Sequence, residues 1–218
     1  MNIDDDDGPP QLSAETLKAL QEWQQEQENN KTNNVPEEDW QLSQFWYNNE
    51  TATRLMNEVI AILPQNGKCA CIACPTVWSL MRKEHPEMDN ILFEYDTRFS
   101  TDSNSFIEYD YNDDDRIEQN YVSLKHTFDV LIIDPPFLSR ECFEKVSRLV
   151  KFIGKTSPQC KHIICTGIQL FICAIQEENI KDFFPGAYCV LFQPQHERNL
   201  MNPFACFVDY ETKTLNTE

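Results

Sequence analysis

The stretch whose reading decides the fold is FDVLIIDPPF, Phe128 to Phe137. A continuous apolar run stops on one carboxylate, Asp134, and Pro135, Pro136 and Phe137 follow at once. An apolar run without alternation, bounded by a turn signal, is the pattern of a short strand buried on both faces, as in a parallel sheet. The prolines fix φ and remove two backbone donors, so the carbonyls around them remain as acceptors. Asp134 adds another acceptor and Phe137 a flat apolar face. Two readings follow: a rigid turn, or a pocket that grips an amino group. A neutral NH2 needs acceptors for its hydrogens while its lone pair aims at an electrophile.

Working outward, further strands are expected at KCACIAC (68–74), NILFEYD (90–96), SFIEYD (105–110) and KHIICTG (161–167). Helical periodicity lies over ETATRLMNEVIAIL, with Leu55, Met56, Val59, Ile60 and Leu63 on one face, and over Val77 to Lys83, Ser139 to Ile153 and Ile168 to Asn179. Strand followed by helix, repeated, predicts an α/β fold: a mostly parallel sheet with helices on both faces. AYCVLFQP and PFACFVDY (187–194, 203–210) have no helix between them and predict a C-terminal antiparallel hairpin. Upstream, LSAETLKALQEWQQEQE carries Leu17, Leu20 and Trp23 at helical spacing after Ser13, a helix N-cap residue type. The polar NNKTNNVPEED that follows reads as a linker. Residues 1–36 are therefore expected to be a mobile acidic tail with a short helix, and 37–218 the folded domain.

Ligands of open α/β sheets sit beyond the C-terminal strand ends, where strand order reverses. The residues there are Ala73 to Thr76, Glu94 and Asp96, Asp110 and Tyr111, and Asp134 to Phe137. A carboxylate after the second strand can accept from both ribose hydroxyls of a nucleoside cofactor. One after the third can accept from an adenine amino group. Each alone reads equally well as a turn-forming Asp; their joint placement favours a site. The aromatic cluster WQLSQFWY, with Trp40, Phe45, Trp46 and Tyr47, is either an anchor closing the core or a lid over a ligand. His196, Arg198 and Asn199, between the last two strands, are candidate substrate contacts. His85, His126 and His162 flank elements and read as structural. Cys69 and Cys71 share one strand face with no second pair to complete a tetrahedral set, so no metal is expected.

The formal charge is −18, and residues 1–40 hold 11 acidic and 2 basic side chains, half of the excess. With no Lys/Arg cluster to neutralise phosphates, the composition disfavours nucleic acid and favours a basic protein partner. No apolar run approaches the roughly 20 residues of a membrane span, and MNIDDDDGPP is no secretory leader. Nine irregularly spaced cysteines, several inside apolar runs, read as buried thiols of a reducing compartment. The chain is thus expected to be soluble and cytoplasmic, with no membrane partner.

A strand ending in Asp-Pro-Pro-aromatic resembles the amino-group methyltransferases that use S-adenosyl-L-methionine on the Rossmann-like, seven-stranded class I fold. PQLSAETLKALQEW, EEDWQLSQFWYNNETA, FEYDTRF, YDYN, FDVLIIDPPFLSRECFEK, ICTG and RNLMNPFACFVDY resemble, over nearly the whole chain, the eukaryotic protein-lysine methyltransferases acting on translation elongation factor 1-alpha. That family was formerly grouped with N6-adenine-specific DNA methyltransferases. The resemblance implies that Asp134, Pro135, Pro136 and Phe137 hold the lysine amine. It implies further that Glu94 or Asp96 holds the cofactor ribose, that Asp110 and Tyr111 lie at the adenine, and that Trp46, Cys74 and Pro75 complete the cofactor site. One departure stands out: the usual Gly-rich loop after the first strand is here ACPTVWS, without glycine. The competing readings are a methyltransferase of adenine in nucleic acid, which the DPPF motif alone would equally allow, and a non-catalytic binding module on the same scaffold.

Overall fold

The computed structural model describes residues 35–100, 104–168, 180–198, 200 and 202–216, with Thr16 and Lys18; of 114–116 it describes the backbone alone. Met1–Asn34 and Val35–Glu218 are separate units, and the architecture below is that of the second. The tail helix, apart from Thr16 and Lys18, and the helix expected over 168–179, apart from Ile168, lie outside the described residues.

Lys68–Ile72 (β1), Asp89–Glu94 (β2), Phe106–Glu108 (β3), Val130–Ile133 (β4) and Lys161–Gly167 (β5) form the parallel part of one sheet. Tyr188–Cys189 (β6) and Phe204–Val208 (β7) complete it, with β7 antiparallel to both β5 and β6. The order is β3-β2-β1-β4-β5-β7-β6. Strand order therefore reverses between β1 and β4, and all four residues of β4 are buried, as its unbroken apolar run requires.

Alternation along β1 divides the core. Cys69 and Cys71 face one apolar cluster with Leu55, Val59, Trp78 and Met81, whereas Ala70 and Ile72 face the other with Phe143, Val146 and Leu149. The first cluster is covered by Asn49–Ile62 (α1) and Pro75–Glu84 (α2), the second by Arg140–Ile153 (α4), with the short Ile117–Asn120 (α3) beside it. α1 starts where Asn48 accepts from the Thr51 N–H, and α4 where Ser139 accepts from the Cys142 N–H, both ordinary N-caps. α2 begins two residues earlier than its apolar pattern suggests, because Pro75 suits the first helical turn.

Three expectations need correction. Ile60 is 39% exposed, while Ala52 and Ile62 are buried; at about 100° per residue, Ile60 is rotated past the inward arc of α1. The run 187–194 is strand only over Tyr188–Cys189. Val190 still donates to the Cys206 carbonyl, but Phe192 donates to Leu215, so the C-terminal segment takes over from the ladder. β3 covers only Phe106–Glu108 of the strand expected over 105–110. No described helix is long and apolar enough to cross a membrane.

Candidate active site

The ends of β1, β2, β3 and β4 open into one cavity of about 460 Å³, floored by Ile72 and Phe93. Its walls include Trp46, Cys74, Pro75, Glu94, Asp110, Tyr111, Asp134, Pro135, Pro136, Phe137 and His196. Eleven residues singled out from the sequence as site candidates thus meet in one space.

Asp134 continues the β1–β4 ladder through its N–H to the Ile72 carbonyl (3.0 Å). Its side chain enters the cavity and accepts from the Tyr47 hydroxyl at 2.6 Å. Burial pushes the carboxyl up to about 7; the Tyr47 hydrogen bond opposes the rise and the charge of Glu94 adds to it. Phe137 is 42% exposed at the rim, its ring tilted against Tyr111 at 5.9 Å between centroids.

After β1 the chain makes the turn that the absent glycine leaves to Ala73, which adopts a left-handed conformation (φ 52°). A Cβ makes that conformation costlier than for glycine, by about 1 kcal/mol. Its N–H bonds the Phe93 carbonyl at 2.8 Å. Cys74 then precedes α2 without any side-chain cap, and Cys74, Pro75 and Thr76 line the cavity, so an uncapped helix start, a setting that favours an anionic group, lies at its wall. Gly167, at the end of β5, keeps the opposite wall low: a Cβ there would meet Phe204 Cε2 at 3.3 Å and Leu138 Cδ1 at 3.4 Å.

The alternative between Glu94 and Asp96 separates by location. Glu94 is 8% exposed and lines the cavity, its carboxyl pushed up to about 7 by burial. Asp96 lies outside the lining and is occupied: Arg98 donates to both its oxygens, and Gln44 donates to Oδ2 at 2.7 Å. Burial opposes its charge, but these hydrogen bonds outweigh that and hold the carboxyl below its ordinary value. Asp110 has one oxygen in a turn, accepting from the Asn112 N–H at 2.8 Å, and still lines the cavity.

The WQLSQFWY segment serves as both anchor and cover. Trp46 and Tyr47 are core residues, yet the whole run 41–47 walls the cavity. It is tied at one end through Gln44 to Asp96 and Arg98. At the other end Asn48 donates to the Gln195 carbonyl, and Glu197 to that of Trp46. Tyr47 also forms a bridge with His196, whose imidazole burial holds at about 4. Arg198 is not among the lining residues and pairs with Glu38 at 3.2 Å. Asn199 lies outside the described residues.

Tyr109, Asn202 and Phe204, not singled out from sequence, also line the space, as do Tyr47 and Gln44, which were read only as part of an anchor or lid segment. Tyr47 had its aromatic neighbours as a signal. Its partnership with Asp134, 87 positions away, left none.

A family model described as probable N6-adenine methyltransferase matches residues 38–212. EEF1A lysine methyltransferase 1 of Gallus gallus is 41% identical over 219 residues, covering 95% of this chain and 97% of that protein. The human protein of the same name is 41% identical over 217 residues, covering 95% of each. Among solved structures, a branched-chain polyamine synthase mutein from Thermus thermophilus shares the fold: the TM-score is 0.52 at 11% identity, over 92% of this chain and 66% of that one.

Proposed function

The chain belongs to the EEF1A lysine methyltransferase family, and from that premise we propose that it is an S-adenosyl-L-methionine-dependent protein-lysine N-methyltransferase acting on a lysine of EEF1A. The observation that carries this reading is the buried Asp134 acceptor, with Pro135, Pro136 and Phe137, opening on a cavity that Glu94 also lines.

The residues suit such a cofactor. The Glu94 carboxylate matches the two ribose hydroxyls, Asp110 and Tyr111 the adenine side, and the uncapped start of α2 at Cys74 and Pro75 the carboxylate of the amino-acid end. Trp46 supplies apolar wall. When bound, the cofactor supplies an electrophilic methyl group. The chain must then desolvate and orient the amine. A free lysine, with a pKa of about 10.4, is almost wholly protonated at neutral pH. Desolvation beside Phe137 favours the neutral amine. Asp134 accepts from its N–H and takes up or passes on the surplus proton, for which a carboxylate near 7 is better matched than one near 4. His196, uncharged above pH 5, adds no cation against the incoming ammonium. We read 37–218 as the catalytic domain, 1–36 as an acidic tail outside it, and the cytoplasm as its place of work.

The test supplies labelled cofactor with purified EEF1A, and in parallel with DNA and RNA. Label is expected on EEF1A, at one lysine by peptide mass spectrometry. Label on nucleic acid instead would transfer the assignment to the adenine chemistry named by the family model. No label, with no cofactor binding by calorimetry, would leave a binding module.

A further inference from the structure

Tyr47 belongs to the cover, not to the DPPF strand end, yet its hydroxyl reaches the one carboxylate on which the site depends. We infer that Tyr47 is a positioning residue for the reaction: it fixes Asp134 Oδ2, so that Oδ1 is the oxygen presented to the substrate amine. This rests on the methyltransferase reading above.

The geometry leaves the pair little freedom. Tyr47 is 2% exposed. Its backbone is held on both sides by the segment 195–197, through Asn48 N–H to the Gln195 carbonyl at 3.0 Å and Glu197 N–H to the Trp46 carbonyl at 2.9 Å. Its ring packs on His196 at 4.9 Å between centroids. Trp46, one residue back, is pinned by its indole N–H on the Pro36 carbonyl (2.7 Å) and its backbone N–H on Glu38 Oε1 (2.8 Å). The O–H···O distance of 2.6 Å is that of a charge-assisted hydrogen bond. On the other side Pro135 stiffens the backbone next to Asp134. No other hydrogen bond reaches the Asp134 carboxylate among the described residues, so without Tyr47 the group would be free to rotate and to take a proton.

A buried tyrosine needs some acceptor, and a backbone carbonyl would satisfy it as well. Satisfying it on Asp134 has a chemical effect. The titratable groups around Asp134 are Tyr47 from the cover, Glu94 from β2, Cys74 before α2, Cys165 of β5 and, across the cavity, His196. Of these, Tyr47 is the donor that favours the ionised form.

The experiment is Tyr47→Phe in the full chain, which keeps the ring and removes the donor. Expected are a kcat lower by about tenfold, with KM for EEF1A and cofactor affinity within about twofold. The acidic limb of the kcat profile should rise by about one pH unit, as should the Asp134 carboxyl titration followed by carbon-13 NMR without cofactor. In the Asp134→Asn background the same change should cost nothing further, since Tyr47 acts through Asp134. If Tyr47→Phe does not fold, 3-fluorotyrosine at position 47, a stronger donor, should move the limb the opposite way. An unmoved limb and titration, or losses that multiply in the double variant, would overturn the inference. If the wild-type chain methylates nothing, the function itself is at fault, while the NMR titration still reports on the Tyr47–Asp134 contact.

Discussion

At the scale of single residues, the site holds two carboxyls, Asp134 and Glu94, each pushed up to about 7 by burial. A carboxyl raised in the folded state contributes stability that is present below its unfolded pKa near 4 and lost as pH rises through about 7. The cofactor-free protein should therefore be more stable at pH 5 than at pH 8. Asp134→Asn, which can still accept from Tyr47 but bears no charge, should raise the melting temperature by several degrees at pH 8 and by roughly a third as much at pH 5. Scanning calorimetry at the two pH values decides it; equal shifts at both would mean that burial of charge is not the cause. The same substitution should lower kcat by about a hundredfold or more, so that stability is gained where function is lost. Asp134 was legible in the sequence because an apolar run stopping on DPPF marks a strand end. Which of Glu94 and Asp96 lines the cavity was not. Both follow β2 within two residues, and only the packing of Gln44 and Arg98 onto Asp96 distinguishes them.

Elements were legible wherever periodicity was regular, as in β1, β4 and α4, and illegible wherever side chains from distant segments decide the ladder. The case in point is the C-terminal segment, which ends the strand run at Val190 and packs against α1. Glu58, fully buried in α1, accepts from Tyr210 Oη (3.1 Å), the N–H groups of Lys213 (3.0 Å) and Thr214 (2.6 Å), and Thr214 Oγ1 (2.7 Å). A buried carboxylate in an amphipathic helix gives no sequence signal of such partners, because it breaks the apolar stripe that periodicity detects. Glu58→Ala would leave several buried donors unpaired and should cost about 3 kcal/mol in urea unfolding. Glu58→Gln, which keeps one acceptor oxygen, should cost less than half of that. Equal losses for the two would show that packing volume, not hydrogen bonding, holds the C-terminal segment to α1.

The whole molecule carries a formal charge of −18, half of it in residues 1–40, with Asp4 to Asp7 as its densest run. A field of one sign acts chiefly on encounter, raising the association rate of an oppositely charged partner and fading as salt shortens the Debye length from about 10 Å at 0.1 M. A basic protein substrate should thus show a KM that rises with ionic strength, while kcat, which the proposed mechanism assigns to groups inside the cavity, stays level. Replacing Asp4, Asp5, Asp6 and Asp7 together by Asn in the full chain isolates the tail's share. At low salt kcat/KM for the protein substrate should fall by about threefold to tenfold, and at 0.5 M salt, an ionic strength at which the Debye length is roughly 4 Å, the variant and the parent should coincide. Cofactor affinity should be the same in both at either salt. A loss that persisted unchanged at high salt would mean that the acidic run makes specific contacts with the substrate, and a kcat effect would mean that it reaches the chemistry. Equal kcat/KM at every ionic strength would confine recognition to the acidic body of residues 41–218, whose own net charge is as large as that of residues 1–40.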